Sequence, residues 1–244
     1  MKQNIEQDAR FASIGNLPSN FIPYKNEFEE LNIRQFIVGE LKLLSRATIT
    51  KNVASTIKAV DQTIDVDVKR LTIGDFYYVL MWHKLHSFPK TPLTVTWECN
   101  HKVPVIRNAG AEPKYESCNQ ANAQLIHQSD IKIVSLEDNF VALPDGFSFP
   151  RVSLLPELFD LKSDPDFQLL LGAVQWLEYG ETLAEKFEYL DSLTDITLFQ
   201  EAEQINKNVI HGVNEYVKLK CAKCDSTFTK KLDLDPLNFF RSDF

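Results

Sequence analysis

Lys218-Leu219-Lys220-Cys221-Ala222-Lys223-Cys224-Asp225-Ser226-Thr227-Phe228-Thr229 is the stretch whose reading decides the fold. Strand-like residues lie on both sides of a Cys-x-x-Cys pair, and two thiolates at that spacing can turn onto one tetrahedral ion while a tight loop holds them. Such a pair supplies two of four ligands. The chain has four cysteines in all, so the other two ligands must come from its middle: Cys99 and Cys118, or Cys99 and His101. A structural zinc ion bound in this way would tie the middle of the chain to its end.

Three other uses of the cysteines are weighed against zinc. Met1-Lys2-Gln3-Asn4-Ile5-Glu6-Gln7-Asp8 has no apolar signal-peptide core, and a chain of 244 residues needs no disulfide staples, so reduced thiols are expected. A redox pair belongs at a helix start, where the dipole lowers the thiol pKa, but alternating Thr227, Phe228, Thr229 and Lys230 follow this one. Four unrelated buried thiols remain the plain alternative, because free cysteine is a common small core residue.

Upstream of Cys99, Leu93, Val95 and Trp97 alternate with Thr94, Thr96 and Glu98 in a strand pattern. Lys102 to Ile106 can return as a second strand, which makes Cys99-Asn100-His101 the tip of a hairpin and leaves Cys118 in a polar loop from Asn108 to Asn122. Ile131 to Leu136 and Phe140 to Leu143 read as further short strands.

Helical patterns flank this β-rich unit. Phe36, Ile37, Glu40, Leu41 and Leu44 recur at helical spacing, as do Val53, Ile57 and Val60. Leu71-Thr72-Ile73-Gly74-Asp75 supplies an N-cap with an acid three positions later, which predicts a central buried helix from Thr72 to about Ser87. After the β-rich unit, Asp164-Pro165 opens one helix, Gly180 closes it, and two more follow, with Gly212 expected as the last C-cap. His83 and His86 stand three apart on the central helix, but no third ligand accompanies them, so they are read as partly exposed helix-end histidines.

The predicted fold class is therefore α+β. Two mainly helical blocks (35–88 and 151–212) surround a small β-rich unit (89–150 plus 213–236) that carries a zinc-ribbon-like cysteine cluster. Residues 1–34 form an extended N-terminal arm and 237–244 an aromatic C-terminal tail. Leu17, Phe21 and Tyr24 of the arm and Phe239, Phe240 and Phe244 of the tail are candidate partner-docking residues; the competing expectation is that both segments pack on their own domain.

Composition narrows the function. The formal net charge of −8 argues against a surface that grips nucleic acid as a whole, although Lys218, Lys220, Lys223, Lys230 and Lys231 gather around the second cysteine pair. No apolar run is long enough to span a membrane. Neither a phosphate-binding Gly-x-x-x-x-Gly-Lys-Ser/Thr loop nor a dinucleotide fingerprint occurs, and no nucleophile elbow surrounds Ser153 or Ser192, so no small-molecule substrate or enzymatic activity is indicated.

Taken in order, several stretches resemble the baseplate hub family of contractile-tailed bacteriophages. They are Leu17-Pro18-Ser19 with Tyr24, a helix around Leu41 to Ala47, an acid opening an apolar helix from Asp75 to Leu85, Trp97-Glu98-Cys99, and a closing Cys221 and Cys224 with Phe239-Phe240. The departure is in the first loop, where Cys99-Asn100-His101 stands in place of a close cysteine pair; His101 and Cys118 compete to be the fourth ligand. The resemblance implies a non-enzymatic structural or assembly protein of the tail baseplate hub. Its partners would be other hub and tail proteins, and its location the virion and, during assembly, the infected host's cytoplasm. The alternative from another class is a zinc-ribbon-like nucleic-acid-binding or transcription regulatory protein using the lysines around Cys221 and Cys224.

Overall fold

The computed structural model describes residues 10–25, 27–88, 93–105, 114–137, 140, 142–161, 165–193, 195–237 and 239–240. Ala12–Ser13 (β1) pairs antiparallel with Asn32–Ile33 (β2), and a 3-10 turn at Ile22–Tyr24 lies between them with Pro23 in its first turn. Pro23 fixes φ at a helical value without forfeiting a needed N–H.

Three helices follow. Val38–Thr50 (α1) begins where the Glu40 carboxylate accepts the Ile37 N–H at 2.8 Å, and it stops at Lys51, which adopts a left-handed φ of 51°. Val53–Asp61 (α2) packs against it, with Val53, Ile57 and Val60 buried. Ile73–His86 (α3) has Thr72 as its N-cap, the hydroxyl accepting the Asp75 N–H at 3.2 Å, and Ser87 as its C-cap, as the sequence predicts. Its Phe76, Val79, Leu80 and Met81 are buried, so it is the central helix of this half.

The β-rich unit differs from the predicted hairpin. Thr94–Cys99 (β3) and Lys102–Val105 (β4) do not pair with each other; β4 pairs with Lys114–Ser117 (β5), and β3 pairs with Gln120–Leu125 (β6). Cys99-Asn100-His101 is thus an interruption midway along a two-stranded ribbon. Cys118 faces it across that interruption rather than lying in a loop. Of the polar stretch expected as a loop, residues 114–117 and 120–122 are strand, because a two-stranded ribbon leaves much of its surface in water and can be built of polar residues; 108–113 lie outside the described residues.

The chain then runs through Ile133–Val134 (β7) to a 3-10 turn at Val152–Leu154 and the helices Leu155–Leu161 (α4), Pro165–Val174 (α5), Leu183–Ser192 (α6) and Thr197–Asn208 (α7). Asp164, expected to cap α5, lies outside the described residues. Thr182 and Glu185 form a reciprocal capping box on α6, with N–H···O distances of 3.2 and 3.1 Å. Gly212 is not the C-cap of α7. It sits in Gly212–Val213 (β8), which pairs with β7, and the helix ends at Val209. Gly212 is needed for a close approach: its φ is 120°, and an added Cβ would stand 2.9 Å from the Gly74 carbonyl oxygen.

Tyr216–Lys220 (β9) and Thr227–Lys231 (β10) close the chain as an antiparallel hairpin. One large core unites the N-terminal segment, α1 to α3, Val95 and the C-terminal residues Val217, Leu219, Leu232, Leu234, Phe239 and Phe240. A second, around Phe149, Trp176, Leu177 and Ile205, lies under the later helices. Among the described residues, no helix is long and apolar enough to cross a membrane.

Candidate metal centre

The ribbon and the closing hairpin meet at four sulfurs. Cys99 ends β3, Cys118 lies between β5 and β6, and Cys221 and Cys224 form the turn between β9 and β10. All four Sγ atoms lie within 4.8 Å of one another. Cys99 and Cys224 are 3.7 Å apart, and Cys118 and Cys221 are 3.8 Å apart. A tetrahedral thiolate site with metal–sulfur bonds of about 2.3 Å has sulfur–sulfur edges of about 3.8 Å. The cysteines are free thiols, and three of them are buried.

Backbone conformation explains how each half presents its sulfurs. Asp225, directly after Cys224, takes a left-handed φ of 57°, and its N–H reaches the Cys221 carbonyl at 3.0 Å. Asn119, directly after Cys118, takes a φ of 48°, and its N–H reaches the Cys99 carbonyl at 2.8 Å. Asp and Asn tolerate this region better than other side-chain-bearing residues. The two halves therefore turn in the same way around the four sulfurs.

Polar neighbours surround the sulfurs. The Ser226 hydroxyl lies 3.1 Å from Cys224 Sγ and 3.5 Å from Cys99 Sγ. Asn122 donates through Nδ2 to Cys221 Sγ at 3.7 Å, and its Oδ1 accepts the Ala222 N–H at 3.1 Å. Lys223 Nζ donates to the Cys118 carbonyl at 3.2 Å. Burial would raise the Cys221 thiol, but the backbone N–H groups of Cys224 and Lys223 outweigh it and bring it down to about 6. Burial dominates at Cys118, which is pushed up to about 12. Cys224 is lowered, chiefly by the Ser226 hydroxyl. These donors stabilise thiolates, the form a metal requires. The four-thiol donor set, the two short sulfur–sulfur separations and the buried setting fit a tetrahedral four-thiolate site of the kind zinc takes.

His101 is not part of the cluster. Its side chain is exposed, and its contribution is the backbone carbonyl, which accepts the Cys118 N–H at 2.8 Å. Of the two competitors, the geometry brings Cys118 to the other three sulfurs. Asn119, Asn122, Asp225 and Ser226 were not singled out from sequence. Asp225 carried a usable signal, a turn former placed against a cysteine pair; Asn122 carried none.

Hydrophobic and cationic contacts dock the ribbon on the hairpin beside the cluster. Trp97 meets Phe228 edge-on at 5.2 Å between ring centroids, and Lys230 Nζ donates to the Thr96 carbonyl at 2.6 Å. The candidate docking residues of the two ends lie elsewhere. Leu17, Tyr24, Phe239 and Phe240 are buried in the large core, Phe21 packs half-buried against it, and Phe244 lies outside the described residues. Residues 10–25 and 27–34 are therefore held against the helices rather than extended from them, because their apolar side chains have core to fill. The histidine expectation fails at one position: His83 is fully buried, stacked on Phe36 at 3.8 Å between ring centroids.

No curated protein and no solved structure matches the chain. A family model described as T4 bacteriophage base plate protein matches residues 17–241. That span holds the Leu17-Pro18-Ser19 segment, the central helix and all four clustered cysteines, so the chain belongs to the T4 bacteriophage base plate protein family.

Proposed function

We propose that this chain is a non-enzymatic structural protein of the phage tail baseplate, working at its hub, and that its four clustered cysteines hold one structural zinc ion. The observation that carries the zinc assignment is the gathering of four sulfurs within 4.8 Å of one another, with two separations of 3.7 and 3.8 Å, from two segments far apart in sequence. Membership of the baseplate family supports the structural role, and the closed donor set leaves no coordination position for catalysis. The hub placement rests on the ordered sequence resemblance. The protein would accordingly sit in the tail of the virion beside other hub and tail proteins, after synthesis in the infected host's cytoplasm.

The rival nucleic-acid reading loses support at the lysines on which it depends. Lys220 pairs with Asp225 at 2.8 Å, Lys231 pairs with Glu215 at 2.7 Å, and the ammonium groups of Lys223 and Lys230 donate to backbone carbonyls. Four of the five cations are thus engaged within the chain.

Elemental analysis tests the metal. One zinc per chain, lost in Cys118→Ser and retained in His101→Ala, is the expected result; iron in its place, or no metal in wild type, would refute the zinc assignment. Fractionation of baseplate intermediates from infected cells tests the location. The chain should travel with the central hub complex, and recovery only with peripheral wedge complexes would overturn the hub placement.

A further inference from the structure

A groove runs along the face where α3, the end of α7 and β8 meet. Its larger chamber, about 660 Å³, is walled in part by Tyr77, Trp176, Val209, Ile210 and His211. A smaller one of about 340 Å³ continues from it, with Tyr77, Glu215 and Leu234 as shared walls and Asp233 and Asp235 beyond. The first chamber is mostly apolar, and at its rim Ile210 is 57% and Tyr216 54% exposed. The second holds three carboxylates against one cation, Lys231, which is already paired with Glu215. The raised pKa of the Tyr77 phenol, from burial and then from Asp235 and Glu215, reports the same negative field where the chambers join.

His211, on the wall of the larger chamber, is fixed from behind: its Nε2 lies 2.7 Å from Thr72 Oγ1, which also accepts the Asp75 N–H. Its Nδ1 is buried without a partner.

We propose that this groove is the docking site for an extended peptide segment of a protein partner, presenting a large apolar side chain to the Trp176–Val209 chamber and a lysine or arginine to the Glu215–Asp233–Asp235 end. The apolar chamber fixes the first element and charge complementarity the second. The assignment deepens the structural role proposed above by naming a partner surface. It rests on that role for there being a partner, but its test is made on the isolated chain and can fail while the virion fractionation succeeds.

The test is selection from a displayed library of random nine-residue peptides on the full chain, followed by binding of the enriched synthetic peptides to wild type, Ile210→Arg and Glu215→Gln. Both substituted side chains are at the exposed rim, so folding is expected to survive, with circular dichroism as the check. The expected result is a recurring pattern of one large apolar residue and a nearby basic residue. Affinity should fall at least tenfold on Ile210→Arg and severalfold on Glu215→Gln, and wild-type hydrogen exchange should slow at 209–216 in the presence of peptide. No enriched peptide, enriched peptides without a basic residue, or affinities unchanged in both variants would overturn the proposal. So would self-association of the chain that Ile210→Arg abolishes, because it would assign the groove to a second copy.

Discussion

At the N-terminus of α3, Asp75 is more than the helix-start acid that its spacing from Thr72 announces. Its carboxylate accepts the Ser19 N–H at 3.0 Å and the Tyr24 hydroxyl at 2.6 Å, so the N-terminal segment is fastened to the central helix through one buried side chain. Tyr24→Phe removes both that donor and the acceptor for the Thr72 N–H at 2.8 Å. It should lower stability by about 1–3 kcal/mol in urea denaturation, with the m-value unchanged. His83 gives the second prediction at this scale. Burial first, then the nearby Arg34 and His86 charges, holds its pKa well below the usual range, while Thr63 Oγ1 lies 2.9 Å from Nε2 and Ser87 Oγ 3.3 Å from Nδ1. The unfolded chain therefore binds the proton more readily than the folded one. Stability from neutral His83 is full above about pH 6.5 and falls as the pH drops below it, by up to about 1.4 kcal/mol per pH unit until the folded pKa is reached. Denaturation midpoints measured from pH 7.5 to 5 should show that slope, and it should flatten in His83→Gln.

Among the elements, α3 was the most legible: Thr72 and Asp75 marked its start, and its unbroken apolar body marked it as buried. The ribbon was the least legible. Strands β3 and β4 each alternate, but alternation states only that a strand has two faces; it does not name the partner across the ladder. The nested pairing, β3 with β6 and β4 with β5, is what sets Cys118 opposite Cys99, so the choice between Cys118 and His101 was left open by the same ambiguity. Close packing at the α3–β8 crossing was also invisible, because Gly74 and Gly212 read as a helix residue and a cap. A Cβ on Gly74 would stand 2.4 Å from the His211 carbonyl oxygen. Gly74→Ala should therefore cost about 1–3 kcal/mol although alanine is the better helix former, and thermal melts would show a lowered midpoint. On α6, Thr182→Ala removes a cap and should cost about 1 kcal/mol by the same measurement.

For the whole molecule, the sulfur cluster brings Cys99 and Cys118 against Cys221 and Cys224, beside the Trp97–Phe228 contact, and a bound metal would crosslink them. With metal bound, a chelator should therefore loosen the ribbon and the closing hairpin before it affects α5 to α7. Hydrogen exchange should accelerate at 94–125 and 216–231 and stay unchanged at 165–208, and uniform acceleration would contradict a local clamp. The α+β class, helices α1 to α3, α6 and α7 and the Cys221–Cys224 turn were legible in the sequence alone, because each depends on spacing within a few residues: helical period, capping chemistry and a two-thiol turn; α4 was not read, and α5 ends at Val174 rather than at Gly180. Three other features were decided only by tertiary structure: the meeting of Cys118, not His101, with the other three cysteines, the burial of Leu17, Tyr24, Phe239 and Phe240, and the groove beside His211. Each depends on which distant surfaces meet, and an apolar or polar side chain looks the same in sequence whether its partner lies on its own chain, on another chain or in water.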